Sequence, residues 1–171
     1  MNEMGLQEEL LNAIEKEASD LEQKYRGCSR SSLSALQKHF SIGDEKTLKA
    51  STPLAAGVAL KGEVCGALLG GLLAVGLVTA SENLGDPKAL GKSLAVGHKL
   101  YNRFVKEMGT ANCLEIQRRR LGKPYHLADP KEYEDFQKAG GYTECSKVVG
   151  KAARLAAEFI LELKKKTETK E

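Results

Sequence analysis

An all-α fold, a single bundle of about six or seven helices, is what this sequence predicts, and three observations predict it. Apolar residues recur at helical spacing, and no run shows convincing alternation with a period of two. Start and stop signals for helices punctuate the chain throughout. Proline is scarce, 4 in 171 residues, while glycine numbers 17, a balance that suits helices meeting through small residues better than a β-sandwich.

The elements follow in order. From Asn2 to about Tyr25, Leu6, Leu10, Leu11, Ile14, Ala18 and Leu21 form one apolar stripe among Glu and Lys, an amphipathic helix that Gly27 breaks. Ser29, Ser31 and Ser32 offer caps for a second helix running to about Phe40, with Leu33, Leu36 and Phe40 inward. Gly43 ends it, Asp44 caps a short turn through Leu48, and Thr52-Pro53 begins a looser stretch to Gly62. An uncharged helix follows. Asp86-Pro87 then pairs an N-cap with proline at the first helical position, opening a helix that contains Leu90, Leu94, Tyr101, Phe104 and Val105 and that Gly109 closes. Thr110 or Asn112 caps the next, carrying Cys113, Leu114, Ile116 and Leu121. Asp129-Pro130 repeats the start signal before Tyr133 and Phe136, and Gly140-Gly141 stops that helix. Thr143 is the expected cap of the last one, whose apolar face holds Val148, Val149, Leu155, Ala156, Phe159, Ile160 and Leu163. These helices make one domain over residues 1–163, with a charged tail over 164–171. A chain of this length buries roughly 70% of its unfolded surface.

The charge balance narrows the function. With 26 Lys and Arg against 23 Asp and Glu, a formal +3, the chain lacks the basic excess of a nucleic-acid binder, and without Trp and with 5% aromatics it is poor in stacking platforms. Arg118-Arg119-Arg120 reads as a solvated helical face, and His39, His98 and His126 show no ligand spacing. No Walker loop, Ser-His-Asp order or paired-carboxylate motif supports a hydrolase. The N-terminus lacks the basic and apolar regions of a signal peptide, so the expected compartment is the cytoplasm.

Val64 to Ser81 holds 18 residues without a charge. As a helix it spans about 27 Å, short for a hydrocarbon core of roughly 30 Å. Its glycines Gly66, Gly70, Gly71 and Gly76 and its unbiased flanks predict a central helix buried on all sides, not a membrane span.

The four cysteines are the candidate chemistry. Their spacing, C-x36-C-x47-C-x31-C, has none of the close pairs of zinc knuckles or thioredoxin-like motifs. In a reducing compartment that leaves three readings open: metal ligands, redox thiols, or inert buried side chains. Cys28, Cys65, Cys113 and Cys145 each fall at or just before a predicted first helical turn. Free N–H groups and the positive end of the helix dipole there favour a thiolate and lower its pKa. Four such ends converging would suit an anionic centre.

Residues 62–70, GEVCGALLG, resemble the signature of a redox-active protein family named for its cysteine pattern, C-GCAxxG-C-C. Cys65-Gly66-Ala67-Leu68-Leu69-Gly70 matches the central motif, and Cys28, Cys113 and Cys145 take the outer cysteines in order, over roughly residues 25–163. The resemblance implies a small helical redox protein. A related domain in split-Soret cytochromes is associated with an iron–sulfur centre, which implies ligation of a 2Fe–2S cluster by Cys28, Cys65, Cys113 and Cys145. Gly66, Ala67 and Gly70 are then packing residues or backbone contacts to the cofactor. The expectation is electron transfer or redox sensing, with a separate redox partner protein. A metal-free thiol–disulfide protein is the alternative, and so is a helical interaction module with buried thiols, forming a homodimer through a glycine-bearing face.

Overall fold

In the computed structural model, which describes residues 3–168, the chain is all-α. Among the described residues there are eight α-helices and no strand: α1 (Glu3–Tyr25), α2 (Cys28–Phe40), α3 (Glu45–Ala50), α4 (Gly66–Thr79), α5 (Pro87–Met108), α6 (Cys113–Leu121), α7 (Pro130–Lys138) and α8 (Gly141–Glu168). The eighth helix is α3, a single capped turn and a half: Asp44 accepts from the Thr47 N–H, so the local cap is strong enough to make a helix of a predicted turn.

The long helices α1 and α8 lie antiparallel. Gln23 donates to Ser146 near one end, Arg154 reaches Asn12 and Glu8 in the middle, and Lys165 meets Gln7 near the other. Gly150 keeps them close, because a Cβ there would meet the Glu15 carbonyl oxygen at 2.7 Å. Helix α8 carries the first part of the charged segment: Lys164 packs over the Phe40 ring at 5.1 Å, and residues 169–171 lie outside the described residues.

Helix α4 runs through the bundle against α2, α5 and α8. Ala67, Leu68, Ala74 and Val75 are fully enclosed, and burial of a leucine such as Leu68 contributes about 1.5–3 kcal/mol. It is not buried on all sides, however. Leu69, Leu72, Leu73, Gly76 and Leu77 line an open groove, because α3 and the 52–54 turn cover only part of that face. No helix among the described residues is long and apolar enough to cross a membrane. Helix α5 buries Leu100 and Phe104 but leaves Leu90, Leu94 and Tyr101 exposed, since only a narrow stripe of it touches α4 and α8.

Two expected caps fall elsewhere. Ser29, Ser31 and Ser32 are buried inside the first turns of α2, where Ser29 donates to the Ser51 carbonyl and Ser31 to Glu22, while Gly27 occupies the cap. The last helix begins at Gly141, directly after the left-handed Gly140, which places Thr143 inside it.

Candidate functional site

The fold brings the four cysteines, far apart in the chain, to the wall of one cavity of about 460 Å³. Each arrives by a separate local device. Cys28 opens α2 after Arg26 and Gly27, whose φ angles of 59° and 108° turn the chain sharply out of α1. Cys65 caps α4 and Cys113 opens α6, and the two segments are tied by a short antiparallel bridge. The Cys65 N–H donates to the Ala111 carbonyl at 2.8 Å, and the Cys113 N–H donates to the Glu63 carbonyl at 2.6 Å. Cys145 stands one turn inside α8, a correction to its expected place in the first turn that follows from the helix starting at Gly141.

A second device lies between Thr52 and Gly62. Ala56, Gly57, Val58, Ala59 and Leu60 all take positive φ, from 49° to 68°, forming a left-handed turn. Each non-glycine residue in that conformation costs roughly 1–2 kcal/mol. Hydrogen bonds hold the turn closed, among them Ala59 N–H to the Pro53 carbonyl at 2.7 Å and Glu63 N–H to the Gly57 carbonyl at 2.9 Å. The Ala56 N–H of this turn and the Ser29 N–H favour charge on the Cys28 sulfur.

Donors to sulfur recur around the cavity. The N–H groups of Ala67 and Leu68 at the start of α4 favour charge on Cys65, and Cys113 accepts from the Gln117 side-chain amide at 3.6 Å. Such donors stabilise thiolate sulfur and tune a metal bound to it. Four cysteines on a largely apolar wall, with the Gln117 amide on one of them, are a donor set whose chemistry suits thiolate ligation.

As free thiols, the four behave otherwise. Burial pushes Cys65 and Cys113 up to about 12, and pushes Cys28 and Cys145 up as well. Nearby cysteines oppose each charge further: Cys65 at Cys28, Cys113 at Cys65, Cys28 at Cys113, and all three others at Cys145. The expected lowering by helix ends is therefore reversed, because the loss of hydration outweighs the amide donors. All four cysteines are free. Among the described residues no three His, Cys, Asp or Glu side chains are grouped closely enough to hold a single metal ion.

Gly66, Ala67 and Gly70 do not line the cavity. A Cβ on Gly66 would meet the Cys28 sulfur at 2.5 Å, and one on Gly70 would meet the Ser29 carbonyl oxygen at 2.4 Å, so both let α4 approach α2. Ala67 is enclosed, and its N–H favours charge on Cys65. The histidines lie elsewhere, His39 on Glu17, His98 by Asn102, and His126 with its backbone N–H on Glu132. The three arginines pair with Glu115 and Glu144 on the surface.

Sequence reasoning missed the rest of the wall. Glu22 is only 2% exposed, accepts from Ser31 at 2.9 Å and lines the cavity. Burial raises its pKa. Its signal was in the sequence: the buried stripe of α1 runs Leu11, Ile14, Ala18, Glu22, an acid at a core position. Tyr133, Phe136 and Tyr142 also line the cavity. Phe136 meets Tyr142 edge-on at 5.2 Å and Tyr125 at 5.8 Å, contacts each contributing about 0.5–1.5 kcal/mol beyond burial.

Comparison with known families gives a match over residues 27–159 to a family described as "Putative redox-active protein (C_GCAxxG_C_C)". The chain belongs to this family. The matched span begins one residue before Cys28 and takes in Cys145, so all four cysteines of the family's pattern lie within it. Neither the curated proteins nor the solved structures contain a match to the chain.

Proposed function

We propose that this member of the redox-active C_GCAxxG_C_C family transfers or senses electrons through a 2Fe–2S cluster held by Cys28, Cys65, Cys113 and Cys145. The observation that carries the reading is the convergence of four cysteines on the wall of one cavity, with the Gln117 amide bonded to the Cys113 sulfur. A bound 2Fe–2S cluster supplies a one-electron couple. The chain's own groups do the tuning. The N–H groups of Ala56, Ser29, Ala67 and Leu68 and the Gln117 amide offset negative charge on sulfur, which favours the reduced state. The apolar walls Ile116, Val148 and Val149 keep water away.

Anaerobically purified protein is expected to carry visible absorbance, iron and acid-labile sulfide, and each single Cys→Ser change should diminish all three. A colourless protein without iron and sulfide, or four variants with an unaltered spectrum, would refute the reading. A metal-free thiol–disulfide protein is the second reading, favoured by four free thiols on the wall of one cavity. It predicts that mild oxidation removes two titratable thiols and that reduction restores them.

A further inference from the structure

The cavity has room beyond a four-atom Fe2S2 core. Its volume of about 460 Å³ lies in the size class of small-molecule pockets, roughly 300–1,000 Å³. Of the residues around it only Arg26 and Leu60 are exposed, so these two mark its mouth. The interior is apolar, with Ile116, Phe136, Val148 and Val149 buried along it.

Arg26 is fixed there by its neighbours. It follows the last turn of α1, its N–H donating to the Glu22 carbonyl at 3.0 Å, with a φ of 59°. That left-handed position ordinarily takes glycine, and an arginine in it is strained. Its Nη1 donates to the Tyr133 hydroxyl at 3.1 Å, and its guanidinium lies over the Tyr142 ring, 4.4 Å from the centroid. The two tyrosines bond to each other at 3.0 Å, and either can supply the proton. Among the described residues Arg26 forms no ion pair, and its remaining N–H groups have no protein acceptor. Glu22, on the same wall, accepts from Ser31 at 2.9 Å; burial opposes its charge, while Arg26 favours it from beyond ion-pair distance. Gln117 is engaged by Cys113 and the Tyr125 N–H. What the cavity offers is one guanidinium at the mouth of an apolar space.

The complementary ligand has one anionic end and an apolar body, and a carboxylate matches the planar fork of an arginine. One cation balances one charge. A doubly charged phosphate ester would bring a second charge without a partner, on a wall that already carries Glu22. We propose that the cavity binds a small apolar monocarboxylate, its carboxylate on Arg26 at the mouth and its body against Leu60, Leu127, Tyr133, Phe136 and Tyr142. Neither the cavity nor Arg26 depends on iron, so this site stands or falls apart from the cluster.

Benzoate is a suitable probe, with benzamide as its uncharged counterpart and phenyl phosphate as its doubly charged one. Their ring resonances would be followed by saturation-transfer NMR, with titration for affinity, on the anaerobically purified full chain. Wild type is compared with Arg26→Gln and Leu127→Trp, each checked for helicity by circular dichroism. Saturable wild-type binding of benzoate is expected. Arg26→Gln should weaken it about tenfold, as loss of one charge-assisted hydrogen bond does, and Leu127→Trp should abolish it by filling the cavity. Benzamide should bind wild type and Arg26→Gln alike, and more weakly than benzoate binds wild type. The proposal is overturned by no wild-type binding of benzoate, by equal binding in either variant, or by benzamide binding as tightly as benzoate. Tighter binding of phenyl phosphate overturns the singly charged ligand. Benzoate binding by a protein that shows neither cluster nor thiol oxidation overturns the redox reading alone and leaves the site standing. Redox activity without benzoate binding does the reverse.

Discussion

The two ends of α4 carry the same residue for opposite reasons. At the cysteine end, Gly66 and Gly70 stand where a Cβ would strike the Cys28 sulfur at 2.5 Å and the Ser29 carbonyl at 2.4 Å. At the far end a Cβ on Gly76 would meet nothing within 4 Å, and its neighbour Leu77 is 38% exposed. Small residues at one end set the distance between two helices and thereby the place of Cys28. At the other end a glycine merely weakens a helix.

That contrast is open to direct attack. Gly70→Ala should be the most damaging change, because the Ser29 carbonyl is backbone and cannot swing aside. A loss of about 3 kcal/mol is expected, the upper part of the overpacking range, read as a lower thermal midpoint by circular dichroism; an unchanged midpoint would break the comparison. Gly66→Ala meets a sulfur and the Leu54 carbonyl oxygen at 2.8 Å. Its expected cost is smaller, about 2 kcal/mol, with a second effect absent at Gly76: displacement of Cys28, seen as altered visible absorbance in the loaded protein or faster alkylation of Cys28 in the metal-free one.

Without mutation, pH should distinguish the dry end of the molecule. In the metal-free protein the cysteine pKa values are raised, to about 12 at Cys65 and Cys113. Alkylation by iodoacetamide should therefore rise about tenfold per pH unit through pH 10, with no plateau near the ordinary thiol value of about 8.5. The sign for stability follows by linkage. The unfolded chain loses these protons near pH 8.5 while the folded chain keeps them, so stability present below that pH falls as pH rises above it. Urea midpoints at pH 8 and pH 10 check this, and the drop should shrink in a protein with all four cysteines changed to serine. The smallest effect belongs to the open end: Gly76→Ala should stabilise by about 0.5–1 kcal/mol, and a destabilised variant would show that this face is covered.

Much of the architecture was legible because its signals are local. Asp86, Asn112 and Asp129 each cap the helix expected of them, and Asp44 caps the segment expected as a turn, all accepting backbone N–H groups two or three residues on. Those bonds depend on a few neighbouring residues and survive any tertiary arrangement. Ser29 and Ser31 misled for the opposite reason: their hydroxyls bond to Ser51 and Glu22, partners that no local window contains. The left-handed turn from Ala56 to Leu60 was equally hidden, since nothing in Ala-Gly-Val-Ala-Leu favours positive φ at alanine, valine or leucine. It exists because surrounding hydrogen bonds over-determine it.

For the site, the identities of the four cysteines, their order and the small residues beside Cys65 are properties of the sequence, and with them the family. Their meeting at one cavity, the raised thiol pKa values and the presence of Glu22 and Tyr142 on the same wall were decided only in three dimensions. A thiol's charge is governed by the water it has lost and the charges around it. Those are set by which helices pack together, and here desolvation outweighed the helix-end preference that each cysteine carries locally.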